Sequence, residues 1–334
     1  MRVRTAALAA LVLLIALLAG CTRQAAEAPQ QAKTYKLAAI FPGVVSDADY
    51  NTLGYIATTS VKSDLGVETA YSENVAVPDV ERVMREYLDN GFNIIWTHGG
   101  QFINQTRDLA KQFTEAAFIG ETDGELPDAP PNLWVIDRNF QVGFYPLGAV
   151  AAKATRSGRI GYIGGLSLPF SYMEVHAMQQ AIRDLGADVN LRAVWVGDFN
   201  DPTKARAIAD VMIAEGVDVL VGSLNLGMLG IFEAAKRSPR PVLVTGKYTD
   251  KSGFAPQHTI TSVLYDFAGP MKEIVGKIRS GETGGYYPLG FHTGVALQMP
   301  LKNVPAELGG EIEQIVASVR DGKVTVVKDA TPVR

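Results

Sequence analysis

Short apolar runs of strand length alternate with longer amphipathic stretches along this chain, and this alternation constrains the fold more than any other feature. It begins at Lys36. In such a pattern each amphipathic stretch is a helix that covers a parallel sheet, whose strands are buried on both faces. The chain is therefore predicted to be an α/β protein. A first series has strands at 36–41, 67–72, 93–97, 116–119 and 133–136, with helices at 80–90 and 102–113.

A second series of the same kind has strands at 159–163, 191–196, 217–221 and 241–245 and helices at 172–185, 202–215 and 228–237. The 334 residues of the chain also exceed the roughly 250–300 at which a single hydrophobic core stops growing. We predict two doubly wound, Rossmann-like lobes joined by a multi-strand hinge. The first lobe takes 35–140 plus 267–284, the second takes 141–266 plus 285–334, and the chain crosses near 138–143, 265–269 and 281–285.

The first residues have the layout of an export signal. Two arginines precede an apolar run at 6–19, which is shorter than the ~20 residues of a membrane span. The run ends in Leu-Ala-Gly-Cys, a lipobox whose Cys21 is the single cysteine of the chain. We predict a signal peptide at 1–21, lipid attachment at Cys21 and a flexible tether at 22–34. The alternative is a small buried cysteine at the end of a hydrophobic helix.

This prediction places the protein in the cell envelope, anchored to the outer face of the cytoplasmic membrane or in the periplasm. Basic and acidic residues nearly balance, at 31 and 35, so the sequence carries no basic footprint for a nucleic acid. One cysteine and four histidines do not suggest a metal centre. We expect no metal and no cofactor.

Catalytic motifs are missing from the sequence: it has no GxSxG, HExxH or P-loop pattern. The glycine run at 161–165 lacks the spacing of a dinucleotide-binding loop. Carboxylate chemistry is the one enzymatic route left open, and we expect a protein that is not an enzyme.

Two doubly wound sheets in one chain bind ligands in the crevice between them, at the carboxyl ends of the strands. Aromatic and hydrogen-bonding residues dominate the positions that follow the predicted strands. Rings there would stack on a planar ligand, although they could equally pack in the core, and the aspartates could cap helices instead. The candidate ligand-binding residues are Asp47, Tyr50, Asn51, His98, Phe102, Glu121, Phe170, Asp198, Lys247, Tyr248, Tyr265 and Asp266.

Five motifs support a resemblance: SDADYN at 46–51, GFNII at 91–95, FYPLGAVAA at 144–152, GRIGYIGG at 158–165, and VWVG at 194–197 before Asp-Pro at 201–202. In their order and spacing, residues from about 36 to 327 resemble the basic membrane protein (BMP) family of ABC-transporter substrate-binding lipoproteins, which includes purine nucleoside receptors. The resemblance implies a type I periplasmic-binding-protein fold, a small purine-like ligand and permease subunits as partners. We expect a monomer.

Three departures from the nucleoside-binding pattern bear on the ligand. The chain has His176-Ala177 where those members tend to have Gly-Phe, Tyr248 where they have Asp, and Tyr265 where they have Lys. The segments 73–83, 195–202 and 246–270 look closer to a subgroup associated with free bases such as adenine. The resemblance thus favours a purine base. Nucleoside binding, ligand sensing without transport, and a nucleoside hydrolase using Asp47-Ala48-Asp49 remain alternatives.

Overall fold

A computed structural model describes residues 34–333. The predicted signal peptide, Cys21 and all of the tether except Thr34 lie outside the described residues. No helix in the described part of the chain is long and apolar enough to cross a bilayer.

Twelve strands form two six-stranded sheets within residues 34–333. In chain order they are β1 (Lys36–Ile40), β2 (Glu68–Ser72), β3 (Ile94–Thr97), β4 (Ala117–Thr122), β5 (Leu133–Asp137), β6 (Arg159–Gly164), β7 (Asn190–Trp195), β8 (Val219–Ser223), β9 (Leu243–Tyr248), β10 (Thr259–Tyr265), β11 (Gly285–Pro288) and β12 (Val295–Leu297).

The two sheets have matching topology. The first runs β11-β5-β4-β3-β1-β2 and the second β12-β10-β9-β8-β6-β7. All pairings are parallel except β10 with β12. In each sheet the strand order reverses beside the first strand of its series, β1 or β6, and such a switch point opens a crevice at the carboxyl ends of the strands. The predicted pair of doubly wound lobes is confirmed.

Nine α-helices cover the sheets in the same residues. They are α1 (Tyr50–Leu65), α2 (Val80–Asp89), α3 (Ile103–Ala110), α4 (Phe140–Ala154), α5 (Pro169–Asp184), α6 (Pro202–Ala214), α7 (Met228–Arg237), α8 (Ala268–Arg279) and α9 (Glu307–Arg320).

Local sequence signals explain several helix ends. Asp201 accepts a hydrogen bond from the backbone N–H of Lys204 and Pro202 takes the first helical position, so α6 starts at a standard cap. Helix α1 ends before Gly66, whose φ of 65° is a left-handed conformation that glycine adopts without strain.

The chain crosses between the lobes three times. The first crossing leads from β5 of the first lobe into α4, which packs on α5 of the second lobe. The second crossing leads from β10 of the second lobe into α8, which packs on α1 of the first lobe. The third crossing lies between β11 and β12, at residues 289–294.

This third crossing differs from the sequence-based boundary, which assigned 285 onward to the second lobe. Residues Gly285–Pro288 instead pair with β5 of the first sheet. A hinge was expected at 281–285, but Gly285 allows close packing within the first lobe: a Cβ there would lie 2.7 Å from the ring of Trp134. The strand therefore belongs to the first lobe, and the hinge follows it.

Candidate functional site

A cavity of about 380 Å³ lies between the two lobes. Its volume is near the lower end of the ~300–1,000 Å³ typical of small-molecule sites. Both lobes contribute to it with residues that follow their strands, as the switch-point rule predicts. The first lobe supplies Pro42, Gly43, Tyr50, Asn51, Gln101 and Arg138, and the second supplies Leu166, Leu168, Phe170, Phe199, Asn200, Asn225 and Tyr248.

Aromatic rings from both lobes line this cavity. Phe170 and Phe199 lie nearly parallel, with ring centroids 6.2 Å apart and an interplanar angle of 18°. Tyr50 of the first lobe approaches Tyr248 of the second at 5.7 Å between centroids. Flat apolar rings contributed by two opposing walls suit a planar ligand that stacks on them.

Tyr50 is fixed from behind by two buried polar residues. Its ring stacks on His98 at 3.9 Å between centroids, and its hydroxyl donates to Oε2 of Glu121. Nδ1 of His98 lies 2.6 Å from Oε1 of Glu121, and its Nε2 lies 2.8 Å from the carbonyl oxygen of Tyr50. That carbonyl can only accept, so Nε2 carries a proton. The ring of Tyr50 is therefore held in one orientation at the cavity wall.

The charges in this cluster favour the same arrangement. Burial opposes the ionisation of Glu121, but His98 and Arg138 together hold the pKa of its carboxyl below the ordinary value. Burial, with the Glu121 charge beside it, raises the pKa of the Tyr50 hydroxyl well above its ordinary value. Tyr50 thus stays a neutral donor to an ionised carboxylate.

Asn51 lines the cavity, and its side chain is held from behind by Asp47. Its Nδ2 donates to Oδ2 of Asp47 at 2.7 Å, which fixes the amide because a carboxylate only accepts. The Oδ1 atom is buried and has no hydrogen-bond partner among the described residues. Gly43 allows this close packing, since a Cβ there would lie 2.8 Å from Nδ2.

Arg138 is the one charged residue among those lining this cavity. Its Nε and Nη2 donate to Asp123 at 2.6–2.9 Å, which neutralises its charge. Its guanidinium carbon lies 5.3 Å from the ring centroid of Phe170. Gly100 makes room for it, because a Cβ at that position would lie 2.8 Å from Nη2.

Contacts across the crevice hold the lobes together. Lys251 of the second lobe forms a buried ion pair with Asp49 of the first, and Thr249 Oγ1 donates to the same carboxylate at 3.3 Å. Asn225 Nδ2 donates to Asp47 at 3.3 Å. Burial raises the pKa of Asp49 to about 7, against the opposing effect of Lys251. The structure is therefore a closed arrangement of the two lobes.

Of the twelve residues predicted from the sequence, four line the cavity: Tyr50, Asn51, Phe170 and Tyr248. Three more lie directly behind Tyr50 or Asn51. His98 and Glu121 support Tyr50, and Asp47 holds Asn51 while accepting backbone N–H groups of residues 49, 51 and 52 at the start of α1.

The other five predicted residues do not line the cavity. Phe102 is buried in the core of the first lobe, and Asp198 is exposed and accepts from the backbone of its own turn. Tyr265 donates its hydroxyl to the carbonyl of Phe140, and Asp266 caps α8.

Lys247 is the fifth residue away from the cavity. It is fully buried and forms an ion pair with Glu174 at 2.5 Å, 3.9 Å from the ring centroid of Phe140. Burial lowers its pKa, opposed by Glu174. It therefore supports the aromatic wall from behind instead of contacting a ligand in this arrangement.

Sequence reasoning did not select Arg138, Phe199 or Asn225, which line the cavity. Each comes soon after a strand, so its position in the chain was a usable signal. What the sequence does not reveal is the direction of the side chain, which depends on the loop. Asp198 and Phe199 are neighbours in one turn, yet only the ring reaches the cavity.

Two α/β lobes with a ligand-sized cavity at their switch points form a type I periplasmic-binding-protein fold. An ABC-transporter solute-binding protein from Conexibacter woesei has this fold with a TM-score of 0.71, at 21% identity over 88% of this chain and 99% of that one. The chain belongs to the BMP family, described as "ABC transporter substrate-binding protein PnrA-like", which matches residues 34–318.

Two relatives are informative. Basic membrane protein A2 of Borrelia garinii is 26% identical over 301 residues, covering 87% of this chain and 88% of the relative. A protein of Brucella abortus named as purine-binding is 25% identical over 263 residues, covering 77% of this chain and 72% of that protein. The resemblance read from the sequence motifs is confirmed at the level of the family.

Proposed function

We propose that this protein is the lipid-anchored solute-binding component of an ABC importer and that it captures a purine base in the cavity between its lobes. The observation that carries the proposal is the cavity lined by aromatic rings from both lobes and by amide side chains. A purine base is planar, stacks on aromatic side chains and has an edge that hydrogen-bonds to amides.

The charge balance supports an uncharged ligand. Arg138 is the one charged side chain lining the cavity, and Asp123 already matches it with three hydrogen bonds. A phosphate or carboxylate on the ligand would find no free cation there and would lose its hydration on burial. Neutral aromatic solutes meet no such penalty.

Tyr248 supports a base over a nucleoside. It lines both the cavity and a second depression beside β10 and β12. Its φ of 73° is a left-handed conformation that is rare for a bulky residue. Such backbone strain, of order 1–3 kcal/mol, tends to occur where function needs a particular geometry. With this ring in place, the space for a sugar attached to the base is reduced.

The relative named as purine-binding points to the same class of ligand. The lipid anchor is a separate part of the proposal and rests on the lipobox that ends at Cys21. Family members bind solutes for ABC transporters, and an anchor would keep the protein beside its permease outside the cytoplasm. Cys21→Ser should release the protein from membranes into the soluble fraction. Continued membrane association of the variant would contradict the anchor.

Isothermal titration calorimetry of the ligand-free protein tests the choice of ligand. The panel contains hypoxanthine, guanine, adenine, the matching nucleosides and uracil. We expect at least one purine base to bind tenfold or more tightly than its nucleoside, and uracil to bind weakly. A nucleoside that binds more tightly than its base would overturn the proposal for bases, and a panel without any binding would overturn it for purines.

A further inference from the structure

We propose that Lys247 and Glu174 form a positioning pair for ligand binding, which holds the rings of Phe170 and Tyr248 in place on the cavity wall. Both rings line the cavity and neither charged side chain does, so the pair acts through the rings. The inference rests on the proposed capture of a purine base, because it concerns rings on which that base stacks. It adds two residues that serve binding without touching the ligand.

The ammonium group of Lys247 lies in a cage of aromatic rings. Its Nζ lies 3.9 Å from the ring centroid of Phe140, 4.6 Å from that of Tyr248 and 5.0 Å from that of Phe170. A cation within about 6 Å of a ring centroid is attracted to the ring, most strongly where water is excluded, and Lys247 is fully buried. One ammonium group therefore attracts two rings of the cavity wall at once.

Hydrogen bonds fix the position of this ammonium group. Of its three N–H donors, one bonds to Oε1 of Glu174 at 2.5 Å and one to Oγ of Ser223 at 3.3 Å. The other carboxylate oxygen of Glu174 accepts from the hydroxyl of Tyr162 at 2.7 Å, which fixes the carboxylate in turn. The third N–H has no acceptor among the described residues and is left to the surrounding rings, of which Phe140 is the nearest.

The pair joins the two elements that carry the cavity rings of the cage. Glu174 lies one turn after Phe170 on α5, so the two side chains share a face of that helix. Tyr248 follows Lys247 at the end of β9. Phe140 packs edge-on against both cavity rings, at 5.6 and 5.8 Å between centroids. The ion pair therefore ties the start of α5 to the end of β9, directly behind the cavity.

Stability of the fold does not call for an ion pair at this place. Removing two charges from water costs about as much as their attraction returns, so neutral side chains of similar shape are often an equal or better choice in a core. Burial lowers the pKa of Lys247, and only Glu174 counteracts this strongly. A pair that brings little net stability and lies against two cavity rings points to a role in binding.

The test is a double variant of the mature protein, Lys247→Met with Glu174→Gln, which removes both charges and keeps the approximate volume of the side chains. Calorimetry measures the binding of hypoxanthine and adenine, and urea denaturation measures stability. We expect the affinity for the more tightly bound base to fall about fivefold or more, because the placement of the rings sets the strength of stacking. The denaturation midpoint should stay unchanged or rise.

A matched control makes the same substitutions at a second ion pair. Lys153 and Glu311 lie 2.7 Å apart in partly exposed positions on the second lobe, and Lys153 is at the opposite end of α4 from Phe140. Lys153→Met with Glu311→Gln should leave the affinity within about twofold of the wild-type value, because exposed pairs contribute little.

A Phe170→Ala background separates positioning of the rings from a general effect on the core. Once this ring is absent, removal of the ion pair should weaken binding less than about threefold, because residues in contact are not additive. An equal loss in both backgrounds would overturn the inference, since the pair would then not act through the ring.

The remaining outcomes separate this inference from the proposed function. Wild-type affinity in the double variant would overturn the inference and leave purine binding intact. An unfolded or strongly destabilised double variant would also overturn it, because the pair would then serve the core. Failure of the wild-type protein to bind any purine base would instead overturn the proposed function.

Discussion

Ligand binding should become tighter as the pH falls from 8 to 6, because Asp49 takes up a proton when the lobes close. Asp49 is 1% exposed in the closed structure, and its cross-lobe contacts come from Lys251 and Thr249. Separation of the lobes removes these partners and returns the carboxyl to water. The relevant comparison is therefore between the closed lobes and an open form in which Asp49 is hydrated.

The sign and size follow from the two pKa values. Burial raises the pKa of Asp49 from 3.8 to about 7 in the closed form, with Lys251 opposing the change. Because the pKa of Asp49 is higher in the closed form, protonation of this carboxyl favours closure. The contribution is complete at a pH below the ordinary pKa of 3.8 and is lost as the pH rises through about 7. Since proton uptake by Asp49 is linked to closure of the lobes on the ligand, these two pKa values predict roughly tenfold tighter binding at pH 6 than at pH 8.

Calorimetry at the two pH values measures the effect, and buffers with different ionisation enthalpies report the proton uptake. Asp49→Asn is the matched control, since it keeps the shape of the side chain and cannot titrate. Its affinity should change less than twofold over the same range. Equal affinity of the wild-type protein at both pH values, or weaker binding at pH 6, would refute the reasoning.

Three further predictions concern the cavity wall, the crevice and the core. Tyr50→Ala should weaken binding, measured by calorimetry, by about 1–2 kcal/mol through lost stacking. Tyr50→Phe keeps the ring and should retain most of the affinity. An unchanged Kd in the alanine variant would show that the ring serves only in packing. Lys251→Met removes the cation that opposes protonation of Asp49, so closure at pH 8 must bury a protonated Asp49 and binding should weaken by about 1–2 kcal/mol; wild-type affinity would show that the pair does not hold the lobes closed. Gly230→Ala should lower the free energy of unfolding by about 1–3 kcal/mol, because the added Cβ would clash with the carbonyl oxygen of Pro202 in α6. Urea denaturation measures this change. The control is Gly276→Ala, which should be neutral or stabilising because a Cβ there meets nothing within 4 Å.

The fold was predictable from the sequence because its signal is repeated. Two series of buried strands and amphipathic helices each specify one doubly wound lobe, and the crevice between them follows from topology alone. The error at Gly285–Pro288 has a local cause. A four-residue edge strand that starts with glycine gives no periodic signal, and its pairing with β5 is formed by residues about 150 positions apart.

The candidate site was predictable only in part. Tyr50 and Asn51 follow a strand in a polar loop, and both line the cavity. Phe102 follows a strand as well, but a short 3₁₀ turn directs it into the core. The role of Arg138 depends on Asp123, fifteen residues away, and on the space left by Gly100. Such long-range pairings leave no pattern in a single sequence.

A crystal structure of the protein with hypoxanthine tests the central claim most directly. We expect the base to lie in the cavity between the lobes, stacked on one of the aromatic side chains that line it, such as Tyr50 or Phe170. A cavity that stays empty at saturating hypoxanthine, or a base bound elsewhere on the protein, would contradict the account.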